Sequence, residues 1–273
     1  MMNITPTVKQ LLIINVIFYI GANFIGNRDM NYSLLSLYSF QNPNFHFWQP
    51  LTHMFMHAPI PNFSHILFNM FGLYSFGSAL EHFWGGKKFL FFYISCGLGA
   101  ALLHNLVNYY EMQSLLSEIS NMNFSKSELQ TLLSVDFESL FTKDGHFISG
   151  NIKTILDREH CTNEQFNLLV EASNNFNSTA VGASGAIYGL LTAFAFMFPN
   201  AELALLFVPI PIKAKYFVPG IIAIDLFLGL KGQSIFGAGS TGIAHFAHIG
   251  GALTGFIMMW FWKKTQFNKN RWN

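Results

Sequence analysis

Apolar residues fall in six long runs: Val8 to Ile25, Phe63 to Phe83, Phe89 to Tyr109, Ala180 to Phe198, Tyr216 to Leu230 and Thr241 to Trp262. A membrane-spanning helix needs about 20 mostly apolar residues. The pattern therefore predicts an all-α polytopic membrane protein with six transmembrane helices. Gly, Ser, Asn and His interrupt several runs, so their ends are the least sharply defined feature. The first run lacks a small-residue cleavage site and is expected to be a retained helix rather than a signal peptide.

Between the third and fourth runs the pattern changes. Residues Glu111 to Asn177 hold ten of the fourteen acidic residues and four of the fifteen basic ones, a net charge of −6. Residues 114–119, 129–133 and 164–170 suit short amphipathic helices. The expectation is an external, polar, helical insertion, for which a small cap and a mobile loop both fit. The chain thus divides into a membrane region over residues 1–110, the insertion over 111–177, a second membrane region over 178–262 and a basic tail over 263–273.

Charge sets the expected orientation. Six spans put both termini on one side, and Lys9, Lys87, Lys88, Lys213, Lys215, Lys263, Lys264, Lys269 and Arg271 share that side. The opposite short loops hold Arg28 and Lys231. The positive-inside rule makes both termini cytoplasmic.

Composition agrees with a bilayer setting, since 51% of residues are hydrophobic and 11% charged. Cys96 and Cys161 suggest neither a disulfide framework nor a metal site. Asp157, Glu159, His160 and Cys161 follow no metal-ligand spacing and read as solvated surface.

Candidate chemistry lies within the apolar runs. Ser184 follows Gly182 and precedes Gly185 in the fourth run, and His248 lies in the sixth. A serine hydroxyl needs a base to take its proton as it attacks, and His248 can serve. With inward-running helices, Ser184 lies about one turn below Ala180 and His248 about two turns below Thr241, at a common depth near the outer leaflet. Gly185 and Gly189, like Gly251 and Gly255, have the four-residue spacing that lets helices approach closely.

A tetrahedral intermediate also needs donors for its oxyanion. His65 and Asn69 share one face of the second run, and the Ser184 N–H near a helix N-terminus adds a third donor. Hydrogen bonding of His65 and Asn69 to neighbouring helices is the alternative. Tyr188, one turn after Ser184, can stack on His248 or serve packing alone. No carboxylate accompanies His248 on its own helix and Asp225 cannot be placed beside it, so a Ser-His dyad is favoured over a triad. Asp225 and Glu81 are read as structural hydrogen-bonding groups, Glu81 anchoring the Gly85-Gly86 turn.

These residues resemble the rhomboid intramembrane serine proteases: Gly182-Ala183-Ser184-Gly185, Tyr188, His65 with Asn69, and Ala247-His248 followed by Gly251 and Gly255. The resemblance covers all six runs and implies a rhomboid-like bundle. It implies Ser184 as nucleophile, His248 as base and then acid, and an oxyanion hole of His65, Asn69 and the Ser184 amide. It makes His248, rather than His245, the base and leaves His245 as a lining or hydrogen-bonding residue.

Phe47 to His57 resembles the family's first external loop, with Gln49 where many members have Arg, and Ala58 to Asn62 lengthens the approach to His65. The insertion shows no resemblance. Expected substrates are single-span membrane proteins cut within or beside their transmembrane segment. No cofactor, metal or nucleic acid is expected, and the lipid bilayer is the partner of the outer surface. The expected location is the cell membrane, with the active site open to the external face. A non-catalytic client-binding protein of the same fold and a channel or transporter are the competing classes.

Overall fold

The computed structural model describes residues 3–142, 147–148, 150–205, 208–231 and 243–265. The chain is mostly helical and divides into two compact units, Met1–Leu37 with His46–His104 and Ala180–Asn273, and Tyr38–Phe45 with Asn105–Thr179.

The first unit begins with α1, Pro6–Phe24, where Pro6 sits in the first turn and loses no helical hydrogen bond. The amides of Thr7 and Val8 donate to the Glu81 carboxylate at 2.9 and 2.8 Å, and the Thr5 hydroxyl donates to it as well. A carboxylate thus satisfies amides that the helix leaves free and faces the positive end of its dipole. Glu81 caps α1, and its backbone carbonyl accepts from the Gly85 N–H at 2.8 Å, at the Gly85-Gly86 turn it was expected to anchor.

The short helices α2, Arg28–Leu35, and α3, Gln49–Thr52, follow. Hydrogen bonds tie α3 and the residue before it to the end of α2: Trp48 Nε1 to the Leu34 carbonyl at 2.9 Å, Gln49 Nε2 to those of Ser33 and Leu34 at 3.2 and 3.5 Å, and Thr52 Oγ1 to that of Leu35 at 2.8 Å. Gln49 is buried, while Phe47 is 84% exposed beside Trp48.

Next come α4, Phe63–Gly72, a π turn over Leu73–Gly77, and α5, Ser78–Trp84. Then α6 runs from Gly86 to Glu118. The third run was expected to end at Tyr109, yet the helix continues eight residues past Tyr110 to Glu118. Helical hydrogen bonding does not need apolar side chains, so hydropathy marks the end of the run and not the end of the helix.

The second unit contains α7, Lys126–Ser134, α8, Asn151–Arg158, and α9, Asn163–Asn177. Reciprocal capping boxes start α7, through Ser125 and Glu128, and α9, through Thr162 and Gln165, each satisfying two free amides. Its core joins Ile119, Met122, Leu132, Phe137, Ile155, Leu156 and Leu169. Arg158 bridges Glu128, at 2.7 and 3.1 Å, and Glu159 at 2.9 Å, while Lys153 pairs with Asp157 at 2.8 Å. Asn42 Nδ2 donates to the Phe176 carbonyl at 2.6 Å, holding the 38–45 segment within this unit.

The first unit resumes with α10, Ser184–Met197, α11, Ala214–Leu230, and α12, Ile243–Thr265. The fourth run was expected to be helical from Ala180, but the helix begins at Ser184, because Gly182 has φ +125° and no helix passes through that conformation. Between α10 and α11 an antiparallel hairpin pairs Glu202–Leu205 with Val208–Lys213, a departure from the all-α expectation. The sequence Val208-Pro209-Ile210-Pro211-Ile212 explains it: alternating prolines forbid a helix, and β-branched residues favour extended chain. The expected start of the sixth run at Thr241, and Lys269 and Arg271 of the tail, lie outside the described residues.

By length and composition, α1 and α6 are apolar and long enough to cross a membrane, and α10 is apolar but shorter. The other runs do not meet that test among the described residues. The π turn divides α4 from α5, α11 has 17 residues, and histidine and glycine dilute α12. Large apolar side chains face outward on α1 (Ile17, Phe24), α6 (Phe91, Leu102), α11 (Ile224, Phe227) and α12 (Leu253, Phe261). Such a surface is costly in water and suited to lipid.

Glycines bring α10, α12 and α6 together. A methyl at Gly251 would fall within the Gly185 carbonyl, and one at Gly255 would stand 2.9 Å from Gly189 Cα. One at Gly250 would stand 2.7 Å from the Gly99 carbonyl. The helices pack backbone against backbone, which dispersion rewards even in lipid. Around this seam lie Leu73, Leu80, Phe89, Phe92, Tyr93, Cys96, Leu190 and Met259.

Candidate active site

Ser184 opens α10, so its backbone N–H has no acceptor within the helix. Upstream, the Gly182 N–H donates to the His53 carbonyl at 2.9 Å. That bond, together with the positive φ, turns the chain so that the helix starts at the serine.

On α12, His248 brings Nε2 to 2.9 Å from Ser184 Oγ. Tyr188, one turn along α10, stacks on the imidazole with ring centroids 4.3 Å apart and planes 7° apart. The Gly185-Gly251 approach sets this distance, since it fixes the separation of the helices carrying the two groups.

His65 also reaches the site. The Ala58 N–H donates to His65 Nδ1 at 3.0 Å, so Nδ1 is the acceptor and Nε2 carries the ring proton. That Nε2 stands 3.1 Å from where a Gly182 Cβ would be, and Ser184 Oγ stands 3.6 Å from the same point. A ring N–H and a serine hydroxyl therefore flank one small space kept open by the absent side chain. Asn69 donates from Nδ2 to the His65 carbonyl at 2.7 Å. One Nδ2 hydrogen remains, and its Oδ1 is buried without a partner among the described residues.

Sequence reasoning left Asp225 unplaced. The structure sets its Oδ1 3.2 Å from His248 Nδ1 and also in hydrogen bond with His245 Nδ1. The signal for it was an acidic residue inside an apolar run, which is costly and marks function. The Ala58 amide was missed as well, because backbone groups leave no trace in residue type. Asp225, His245 and His248 bring three potential ligand atoms within 4.8 Å of one another, and their shared hydrogen bonds account for that closeness.

A helical fold with an apolar outer surface and a partly buried serine-histidine pair between α10 and α12 defines a class of membrane-embedded proteins. The family model described as Rhomboid domain matches residues 44–119 and 161–265, more than half of the chain, and the chain belongs to the rhomboid family. Members of that family generally act within the bilayer on membrane proteins, as serine proteases. The match resumes at Cys161, so α9 lies within the family's domain, contrary to the expectation that all of 111–177 lacks resemblance; residues 120–160 fall between the matched stretches. No curated protein matches the chain.

Proposed function

We propose that this chain is an intramembrane serine protease in which Ser184 is the nucleophile and His248 the general base. The observation that carries this reading is the 2.9 Å contact of Ser184 Oγ with His248 Nε2. As Ser184 attacks a peptide carbonyl, its proton passes to His248. The developing oxyanion is met by His65 Nε2–H, the Ser184 N–H and the free hydrogen of Asn69 Nδ2. Collapse breaks the C–N bond, His248 hands its proton to the leaving amine, and water then hydrolyses the acyl-serine with His248 again as base.

Six spans make up the membrane domain: α1, α4 with α5, the N-terminal portion of α6, α10, α11 and α12. Both termini are cytoplasmic and the site opens to the outside of the cell membrane, as the distribution of lysines supports. Substrates are single-span proteins whose helix unwinds locally, because a helical carbonyl is hydrogen-bonded and shielded from attack. Gly or Pro near the cut lowers that cost.

The test is reaction of the purified detergent-solubilised protein with a fluorescent serine-directed phosphonate, followed by peptide mapping. Labelling at Ser184 that is lost in folded Ser184→Ala and His248→Ala is the expected result. A folded wild type that takes no label would instead be a non-catalytic client-binding member of the fold.

A further inference from the structure

We infer that Asp225 is a positioning residue for His248, so that the serine works in a Ser-His-Asp arrangement rather than a dyad. The inference rests on the protease reading above and deepens it.

Asp225 is buried on α11, in the apolar stretch Ile221 to Leu230, and its Oδ1 faces two imidazole Nδ1 atoms, those of His245 and His248. An ionised carboxylate only accepts hydrogen bonds. Both Nδ1 atoms must then carry protons, and neutral His248 keeps its lone pair on Nε2, the atom facing Ser184 Oγ. Three groups thus fix one tautomer and one ring orientation: the carboxylate at Nδ1, the hydroxyl at Nε2 and the Tyr188 ring across the face. When Nε2 takes the serine proton the imidazole becomes a cation, and Asp225 holds the opposing charge about one hydrogen bond away while remaining unprotonated.

His245 gives the arrangement its shape. Lying one helical turn before His248, it binds the same oxygen and holds the carboxylate against α12. The Tyr188 hydroxyl also faces Asp225, and His65 faces His248 from α4.

The alternative is that Asp225 merely clasps α11 to α12. The two roles separate when wild type, Asp225→Asn and His245→Gln are compared for phosphonate labelling rate, peptide kcat and KM, and thermal midpoint. An Asn side chain can donate to Nδ1 and stabilise the wrong tautomer. Asp225→Asn should slow labelling and kcat by about 10²- to 10⁴-fold, with KM within about threefold and the midpoint near wild type. His245→Gln retains a donor to Asp225 and should stay within about tenfold of wild type. A folded Asp225→Asn that labels within about threefold of wild type overturns the inference, as does a loss of rate in both variants that tracks a falling midpoint.

Should Asp225→Asn fail to fold, the wild-type ¹⁵N-histidine spectrum decides. A His248 with protonated Nδ1 and bare Nε2 supports the inference, and the opposite tautomer overturns it. Failure of wild type to label would count against the protease reading, while the spectrum would still report on Asp225.

Discussion

Replacing Gly182 with alanine tests the link between one backbone angle and the chemistry. Gly182 has φ +125°, a region that an L side chain adopts at a cost of about 1–3 kcal/mol. The new Cβ would stand 2.9 Å from His65 Cε1 and 3.1 Å from Nε2, closer than carbon normally approaches. Either the turn before α10 relaxes and carries the Ser184 amide with it, or the His65 ring is pushed from the space beside Ser184 Oγ. Both outcomes misplace a donor of the proposed oxyanion hole, and losing one such donor typically costs about 2.7–4 kcal/mol, or 10²- to 10³-fold in rate. The assay is phosphonate labelling rate and peptide kcat of folded Gly182→Ala beside wild type, with thermal midpoints to separate instability from lost rate. A variant that turns over within about threefold of wild type would refute the assignment of His65 and the Ser184 amide to the oxyanion site.

Two further perturbations probe the frame. Gly251→Ala places a methyl within the Gly185 carbonyl, so α10 and α12 must separate; the expected cost is about 1–3 kcal/mol of stability together with slower labelling of Ser184, and unchanged values for both would show that the seam does not set the Ser184-His248 distance. In the second unit the Arg158 guanidinium holds the Glu128 carboxyl down to about 2, from 4.5. Its stabilising contribution is therefore complete above the unfolded value and is lost as pH falls toward 2. Glu128→Gln should lose less thermal stability than wild type between about pH 5 and 2, and identical pH profiles would contradict the pairing.

Residue type was enough to single out Ser184, His248 and His65, because few side chains can attack a carbonyl, take its proton or donate to an oxyanion, and these stand out in apolar surroundings. Hydropathy likewise found the apolar runs, but it misjudged where α6 ends and α10 begins. Those ends depend on backbone conformation at Gly182 and on helical hydrogen bonds that continue through polar residues. The Val208–Lys213 strand was legible in its alternating prolines, yet the apolar count passed over it.

What the chain determines alone is local: the apolar runs, the small-residue spacing of Gly185, Gly189, Gly251 and Gly255, and the motif residues, which lie within the stretches that the rhomboid family model matches. Tertiary structure decides which of the buried polar groups meet. Glu81 caps α1 across more than 70 residues of sequence, the Ala58 amide sets the tautomer of His65, and Asp225 on α11 meets His245 and His248 on α12. The physical reason is that residue identity states what a side chain can donate or accept, whereas its partner is set by helix rotation and close approach, which only the packed backbone determines.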